Sequence, residues 1–172
     1  MRTYIFKTKR LRFSEWTAKD IDLALDLWGD TQVSRFISAD GQFSVQAIEE
    51  RLFTELENNI NFKVQYWPLF KIDSNELVGC CGLRPHMKEP NVYELGFHLK
   101  SEYWGEGYAF EAASAVLQYA KTYLKANYIV AGHHPENAAS EKLLKKLGFR
   151  YSHHEHYSPT GLEHPSYLIE WK

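Results

Sequence analysis

The sequence is nearly without cysteine: in 172 residues there are only Cys80 and Cys81, side by side. Adjacent thiols cannot staple distant segments, so a disulfide-built secreted domain is excluded. Their neighbours Leu77, Val78, Gly79 and Leu83 mark a buried strand, where thiols act as small hydrophobes. Neither a helix start nor a cation follows to stabilise a thiolate, which argues against redox or nucleophilic use. No apolar run approaches the ~18 residues of a membrane helix, and Met1–Lys7 holds no stretch long enough for a signal peptide. A reducing compartment, the cytoplasm, is the expected location. Excess charge is lacking too. Lys+Arg 20 against Asp+Glu 22 gives a net charge of −2, so there is no bulk pull toward nucleic acid or an anionic membrane. The six prolines do not cluster into a linker, and no repeat or low-complexity tract is present.

What is present is a globular composition, 44% hydrophobic, 15% aromatic and 24% charged. The length predicts a single domain over 1–172 that buries roughly 70% of its extended-chain surface. Leu11 to Trp16 alternates as a strand. Thr17 and Asp20 resemble a capping box before a helix whose face is Ile21, Ala24, Leu25 and Trp28. Gly29-Asp30 ends it, and residues 30–43 read as a loop or short helical turn. Ser44 can cap a second helix with Ile48, Leu52 and Leu56 on one face. From residue 62 the period becomes two. Phe62–Asp73, Glu76–Arg84 and Val92–Lys100 predict three antiparallel strands, the last two joined by residues 85–91. A helix from Gly107 carries the stripe Phe110, Ala113, Leu117, Ala120 and Leu124. A strand Tyr128–Ala131, a helix Asn137–Leu147 stopped by Gly148, and strands at Arg150–His156 and Ser166–Trp171 complete the order. The fold class is α+β, with a mixed sheet covered by helices on both faces.

Two segments carry chemistry. Tyr103-Trp104-Gly105-Glu106-Gly107-Tyr108-Ala109 lies between a strand and a helix. Its glycines either let backbone amides at the helix start approach an anion or simply permit a tight turn. In His134–Phe149, Asn137 stands where an N-cap should be. Ser140 precedes Leu143, Leu144 and Leu147 by three, four and seven residues, so its hydroxyl faces the apolar side and needs a partner. That partner is either the carbonyl four residues back or a ligand.

Together these segments resemble the GNAT superfamily of N-acetyltransferases, over nearly the whole chain. Trp104-Gly105-Glu106-Gly107-Tyr108-Ala109 is similar to that family's pyrophosphate motif, Gln/Arg-x-x-Gly-x-Gly/Ala, whose amides hold the diphosphate of acetyl-CoA. Glu111-Ala112, Asn137-x-x-Ser140 running into Lys146-Leu147-Gly148-Phe149, and the opening Thr8–Trp16 with Asp20-Ile21 resemble the branch of ribosomal-protein N-terminal acetyltransferases. Trp104 departs from the motif's Gln or Arg, and Glu106 stands where this branch often carries Lys.

The resemblance implies a single-domain GNAT fold, mostly antiparallel, with the fourth and fifth strands, Val92–Lys100 and Tyr128–Ala131, splayed around the pantetheine arm. Gly96 would supply a local bulge there. Phe97, Leu99, Trp104, Gly105, Glu106, Gly107, Tyr108, Ala109 and Asn137 are the implied acetyl-CoA contacts, with a main-chain N–H near Phe97 steadying the oxyanion. Glu94 matches the general-base position, its alternative being a solvent-facing strand residue. Ser140 is the candidate acid for the leaving thiolate. Arg35, Phe36, Tyr66 and Trp67 are the implied acceptor-pocket residues, with His134 near the gap. No metal is expected: alternation sends His153 and His154 to opposite faces, and no cluster has structural-zinc spacing. The implied activity is acetyl transfer from acetyl-CoA to a primary amine, either a protein N-terminus or a small molecule such as a polyamine or aminoglycoside. The rivals are a non-catalytic acyl-CoA-binding regulatory domain and a nucleic-acid binder using Arg2, Lys7, Lys9, Arg10 and Arg12.

Overall fold

The structure, a computed structural model, describes residues 1–86 and 88–171; Met87, within the predicted 85–91 connection, lies outside the described residues. Eight strands form one sheet: β1 (Tyr4–Lys7), β2 (Leu11–Ser14), β3 (Tyr66–Lys71), β4 (Leu77–Pro85), β5 (Val92–Leu99), β6 (Tyr128–Gly132), β7 (Arg150–Tyr157) and β8 (Leu162–Glu170). Their spatial order is β1-β2-β3-β4-β5-β6-β8-β7. Among the described residues only the β5–β6 pair is parallel. The helices are α1 (Ile21–Trp28), α2 (Thr31–Ser34), α3 (Val45–Phe62), α4 (Tyr108–Tyr119) and α5 (Ala138–Lys146).

Strand alternation divides the interior into two cores. On one face Tyr66, Phe70, Leu77 and Cys80 pack against Ala24, Leu27 and Trp28 of α1 and Ile48 and Leu52 of α3. On the other, Trp67, Leu69, Val78 and Cys81 pack against Ala112, Ala113, Val116 and Leu117 of α4 and Leu144 of α5. The adjacent cysteines therefore point into opposite cores, both fully buried. Burial pushes both thiols well above their ordinary pKa, the opposite of a reactive thiolate.

Besides a shift of the last strand, which begins at Leu162 rather than Ser166, three segments depart from the sequence reading. The strand β1 is additional. Its Phe6 stacks on Phe13 at 4.1 Å and on Tyr119 at 5.5 Å, which brings it onto the sheet edge. The splayed strands are consequently fifth and sixth in chain order. Second, residues up to Phe62 belong to α3, so the third strand begins only at Tyr66. Third, pairing of β4 with β5 runs without a break from Gly79↔Leu99 to Pro85↔Tyr93, so Gly96 forms no bulge. It serves another purpose: a Cβ at position 96 would lie 2.1 Å from Tyr66 Cζ and 2.4 Å from its hydroxyl. Glycine at 96 lets the Tyr66 ring lie across the sheet.

Candidate active site

β5 and β6 pair at Val92↔Tyr128, Tyr93↔Ile129 and Glu94↔Val130. Beyond that last rung the strands separate. Polar backbone on both strands is then exposed to a cleft of about 710 Å³, running from the turn before α4 to the loop after α2. Residues 95–99 on one wall and 131–134 on the other line it.

At one end stands the turn before α4. Gly105 and Gly107 have φ of 78° and 81°, the left-handed region where a side chain is strained. Nothing lies within 4 Å of a Cβ built at Gly105, and Gly107 is the N-cap of α4 without a side-chain capping bond. Amides of the first turn are therefore left for a ligand, with the helix dipole favouring an anion. The turn is held from behind. Glu111 accepts from Thr8 Oγ1 (2.6 Å), Arg10 N (2.8 Å) and Arg10 Nε (2.6 Å). Arg10 Nη1 donates to the Glu106 carbonyl at 2.9 Å, and its guanidinium stacks 4.1 Å from the Tyr108 ring. Despite partial burial, which raises it, the Glu111 carboxyl is held below its ordinary pKa by these donors.

The Trp104 indole donates to the Leu99 carbonyl at 2.9 Å, tying the turn to the end of β5. Glu106 is exposed and does not line the cleft, whereas Phe97, Leu99, Trp104, Gly105, Gly107, Tyr108 and Ala109 do. Asn137 lines it too, and its Oδ1 caps α5 by accepting from Ser140 N at 3.1 Å. Ser140 lines the cleft, and among the described residues its hydroxyl makes no hydrogen bond back along the helix.

Glu94 sits where the splay begins, half-buried in the cleft wall rather than facing solvent. The Tyr66 hydroxyl donates to Glu94 Oε1 at 3.2 Å. Burial raises the Glu94 pKa, with Arg84 and Tyr66 opposing. Burial, reinforced by the Glu94 charge, also raises Tyr66 well above its ordinary value, so its hydroxyl keeps its proton. Arg35 and Phe36 line the far end, where the Phe36 ring lies 5.2 Å from that of His134. Trp67 does not join them. It is 1% exposed on the opposite face, 5.4 Å from the Tyr119 ring, because alternation along β3 sends it away from Tyr66.

Residues unremarked in the sequence complete this end. Glu55, fully buried on α3, receives Arg84 Nη2 on Oε1 and the Tyr66 amide on Oε2. His98 Nδ1 accepts from the Trp28 indole at 3.1 Å; burial, with Arg51 and Arg84 nearby, keeps its pKa well below normal and the ring neutral. A carboxylate at position 55, seven residues after Ile48 on the buried face of α3, was the available signal. Among the described residues no three His, Cys, Asp or Glu side chains are grouped to hold a metal ion. Nor, among the described residues, is any helix long and apolar enough to cross a membrane. Three of the five N-terminal cations are engaged within the fold. Arg2 pairs with Asp20, Arg10 with Glu111, and Arg12 with Asn75 and the Ile72 carbonyl.

Solved structures share this architecture. An acetyltransferase of the GNAT family from Bacillus anthracis superposes with a TM-score of 0.80 at 24% identity, covering 98% of each chain. RimL, a ribosomal L7/L12 alpha-N-protein acetyltransferase solved in complex with coenzyme A, superposes with a TM-score of 0.78 at 12% identity, again over 98% of each chain. In sequence, YnaD of Bacillus subtilis (strain 168), an uncharacterized N-acetyltransferase, is 30% identical over 143 residues, 83% of this chain and 81% of that one. Residues 10–150 match the acetyltransferase (GNAT) domain. The splayed strands and the open helix start are thus those of an acetyltransferase, and this chain belongs to the GNAT family, whose acetyl donor is acetyl-CoA.

Proposed function

We propose that the protein, as a single domain over residues 1–172, transfers an acetyl group from acetyl-CoA to a primary amine by direct attack, in the cytoplasm. The residues fit that donor. The uncapped start of α4, with open space at Gly105, suits a diphosphate, and the unpaired edges of β5 and β6 suit an arm carrying amides. Amides from Gly105 to Ala109 hold the diphosphate, while Asn137 and the Phe97 and Leu99 backbone meet the pantetheine. The Glu106 side chain, turned to solvent, contributes only its place in the turn. Bound acetyl-CoA supplies a thioester carbonyl open to attack by a neutral amine.

The chain's own groups then manage protons. Glu94, its pKa raised by burial, accepts the proton of an incoming ammonium directly or through water. Tyr66 holds the Glu94 carboxylate in place. The Phe97 main-chain N–H faces the developing oxyanion, and Ser140 Oγ, without an internal acceptor, gives a proton to the leaving sulfur. Arg35, Phe36 and Tyr66 bound the acceptor end, near His134. The observation that carries this reading is the position of Glu94 on the last paired rung, immediately before the strands part. The buried, unpaired thiols fit a reducing compartment. The test is thiol release from acetyl-CoA across a panel of peptides and small amines, with the acetylated product identified by mass spectrometry. Release that depends on an amine and yields the N-acetyl product supports the reading; tight acetyl-CoA binding without transfer to any amine opposes it.

A further inference from the structure

Beyond Glu94, at the acceptor end of the cleft, two cations have no counter-ion among the described residues: Arg35, which is exposed to solvent, and Arg51, which is drawn back from it. Arg51 reaches from α3 into the cleft, its guanidinium 5.4 Å from the Trp28 ring and 5.1 Å from the Phe43 ring. Among the described residues no carboxylate lies within ion-pair distance of it, and it donates to no protein acceptor. The candidate partners are engaged elsewhere. Glu55 has one oxygen on Arg84 and the other on the Tyr66 amide. Glu94 accepts from Tyr66, and Glu155 is turned to His153 on its own strand. The other groups around the guanidinium add no negative charge: Arg84 is a second cation, His98 is neutral, and Tyr157 keeps its proton because burial raises it.

A guanidinium withdrawn from water beside another cation is costly to keep unpaired, and the cost falls when an anion arrives. Its planar fork fits a carboxylate through two parallel hydrogen bonds. We infer that the acceptor amine also carries a carboxylate, which pairs with Arg51 while the amino group lies at Glu94. This assignment rests on the acetyltransferase reading and narrows its substrate class to amino carboxylates. The carboxylate belongs either to a small amino acid or to an acidic residue close behind a peptide N-terminus.

The test compares ω-amino carboxylates of increasing chain length, each with its neutral carboxamide, and tripeptides with Glu or Gln in second place. For at least one chain length or peptide, kcat/KM for the carboxylate exceeds that for its amide at least tenfold, mainly through KM. In Arg51→Gln the ratio falls toward one, and in Arg51→Lys it is partly retained. Which arm shows the preference identifies the source of the carboxylate. A second readout needs no turnover: calorimetric titration of the CoA-loaded wild type with N-acetylated amino acids and their amides, where the carboxylates bind at least tenfold tighter. If the enzyme acetylates amines but treats acid and amide alike, or prefers an amine phosphate ester of the same length, the carboxylate assignment is overturned while the acetyltransferase reading stands. If no amine is acetylated yet the carboxylate preference persists in the titration, the reading of the reaction fails and the anion site stands. Equal binding of acid and amide in the wild type overturns the site even if Arg51→Gln does not fold.

Discussion

The Tyr66 hydroxyl reaches Glu94 Oε1 at 3.2 Å only because residue 96, two positions further along the same strand, has no side chain. Tyr66 comes from β3 and Glu94 from β5, with β4 between them. The ring crosses the intervening strand beneath the acceptor end of the cleft, where Arg84 stacks on it at 4.2 Å. The candidate base is thus oriented by a buried phenol, which is fixed in turn by the buried Glu55 carboxylate and its half-buried partner Arg84.

Gly96→Ala tests that arrangement. A Cβ 2.1 Å from Tyr66 Cζ forces the ring aside, and overpacking of this kind costs about 1–3 kcal/mol. Urea unfolding should show that loss, and turnover should fall as Glu94 loses its donor. Unchanged stability together with unchanged turnover would separate Tyr66 from the chemistry.

Glu55→Ala should damage the fold more than any surface charge change. It leaves Arg84 and the Tyr66 amide without their acceptor, and breaking a buried pair from one side costs about 3–5 kcal/mol. Glu55→Gln keeps an oxygen for one of the two donors and should cost less. Equal losses for the two variants, measured by denaturant titration, would mean that packing rather than charge dominates.

Gly107→Val should weaken acetyl-CoA binding at least tenfold, equivalent to about 1.4 kcal/mol. Residue 107 has φ of 81°, where a branched side chain strains the backbone and stands against the amides at the α4 start. Titration calorimetry giving wild-type affinity in a folded variant would remove the turn from the cofactor site.

Ser140→Ala should lower kcat while acetyl-CoA affinity stays near wild type, because a proton donor to sulfur acts chiefly in the transition state. Affinity and turnover falling together would make it a binding residue. No change in either would reduce it to a cleft-wall hydroxyl.

Local patterning made most of the fold legible, because each predicted element carries its own period and stop. The run Ser44, Ile48, Leu52 announces α3 and its cap, and the Ser44 hydroxyl does accept from Ala47 N. Gly148, with φ of 95°, ends the segment after α5 as its place in the sequence suggests. Where tertiary contact decides, the reading missed. Tyr4–Lys7 is too short to signal a strand without knowing that Phe6 would meet Phe13 and Tyr119. The resemblance places both Tyr66 and Trp67 in the acceptor pocket, yet neighbours on a strand face opposite ways, and Trp67 packs in the other core. The Glu55–Arg84 pair joins residues 29 apart, and the Thr8 and Arg10 contacts to Glu111 span about a hundred positions. No periodicity reports such contacts. Glycine at 96 was visible, but its purpose depends on a ring from a strand two places away.

The central claim is that Glu94 removes the amine proton, and the pH profile of kcat/KM for wild type and Glu94→Gln tests it most directly. Burial raises the folded pKa of Glu94 above the ordinary 4.5. Stability linked to this group is therefore fully present below 4.5 and is lost as pH rises through the raised value. The glutamine variant lacks that loss and should be no less stable than wild type at neutral pH. Its activity should nevertheless fall ~10²–10⁴-fold, with acetyl-CoA affinity unchanged. The wild type should show an acidic limb set by a carboxyl titrating above 4.5. The variant should lack that limb and recover partly at high pH, where the amine is already neutral. A glutamine variant that keeps wild-type kcat/KM and the same acidic limb would contradict the account.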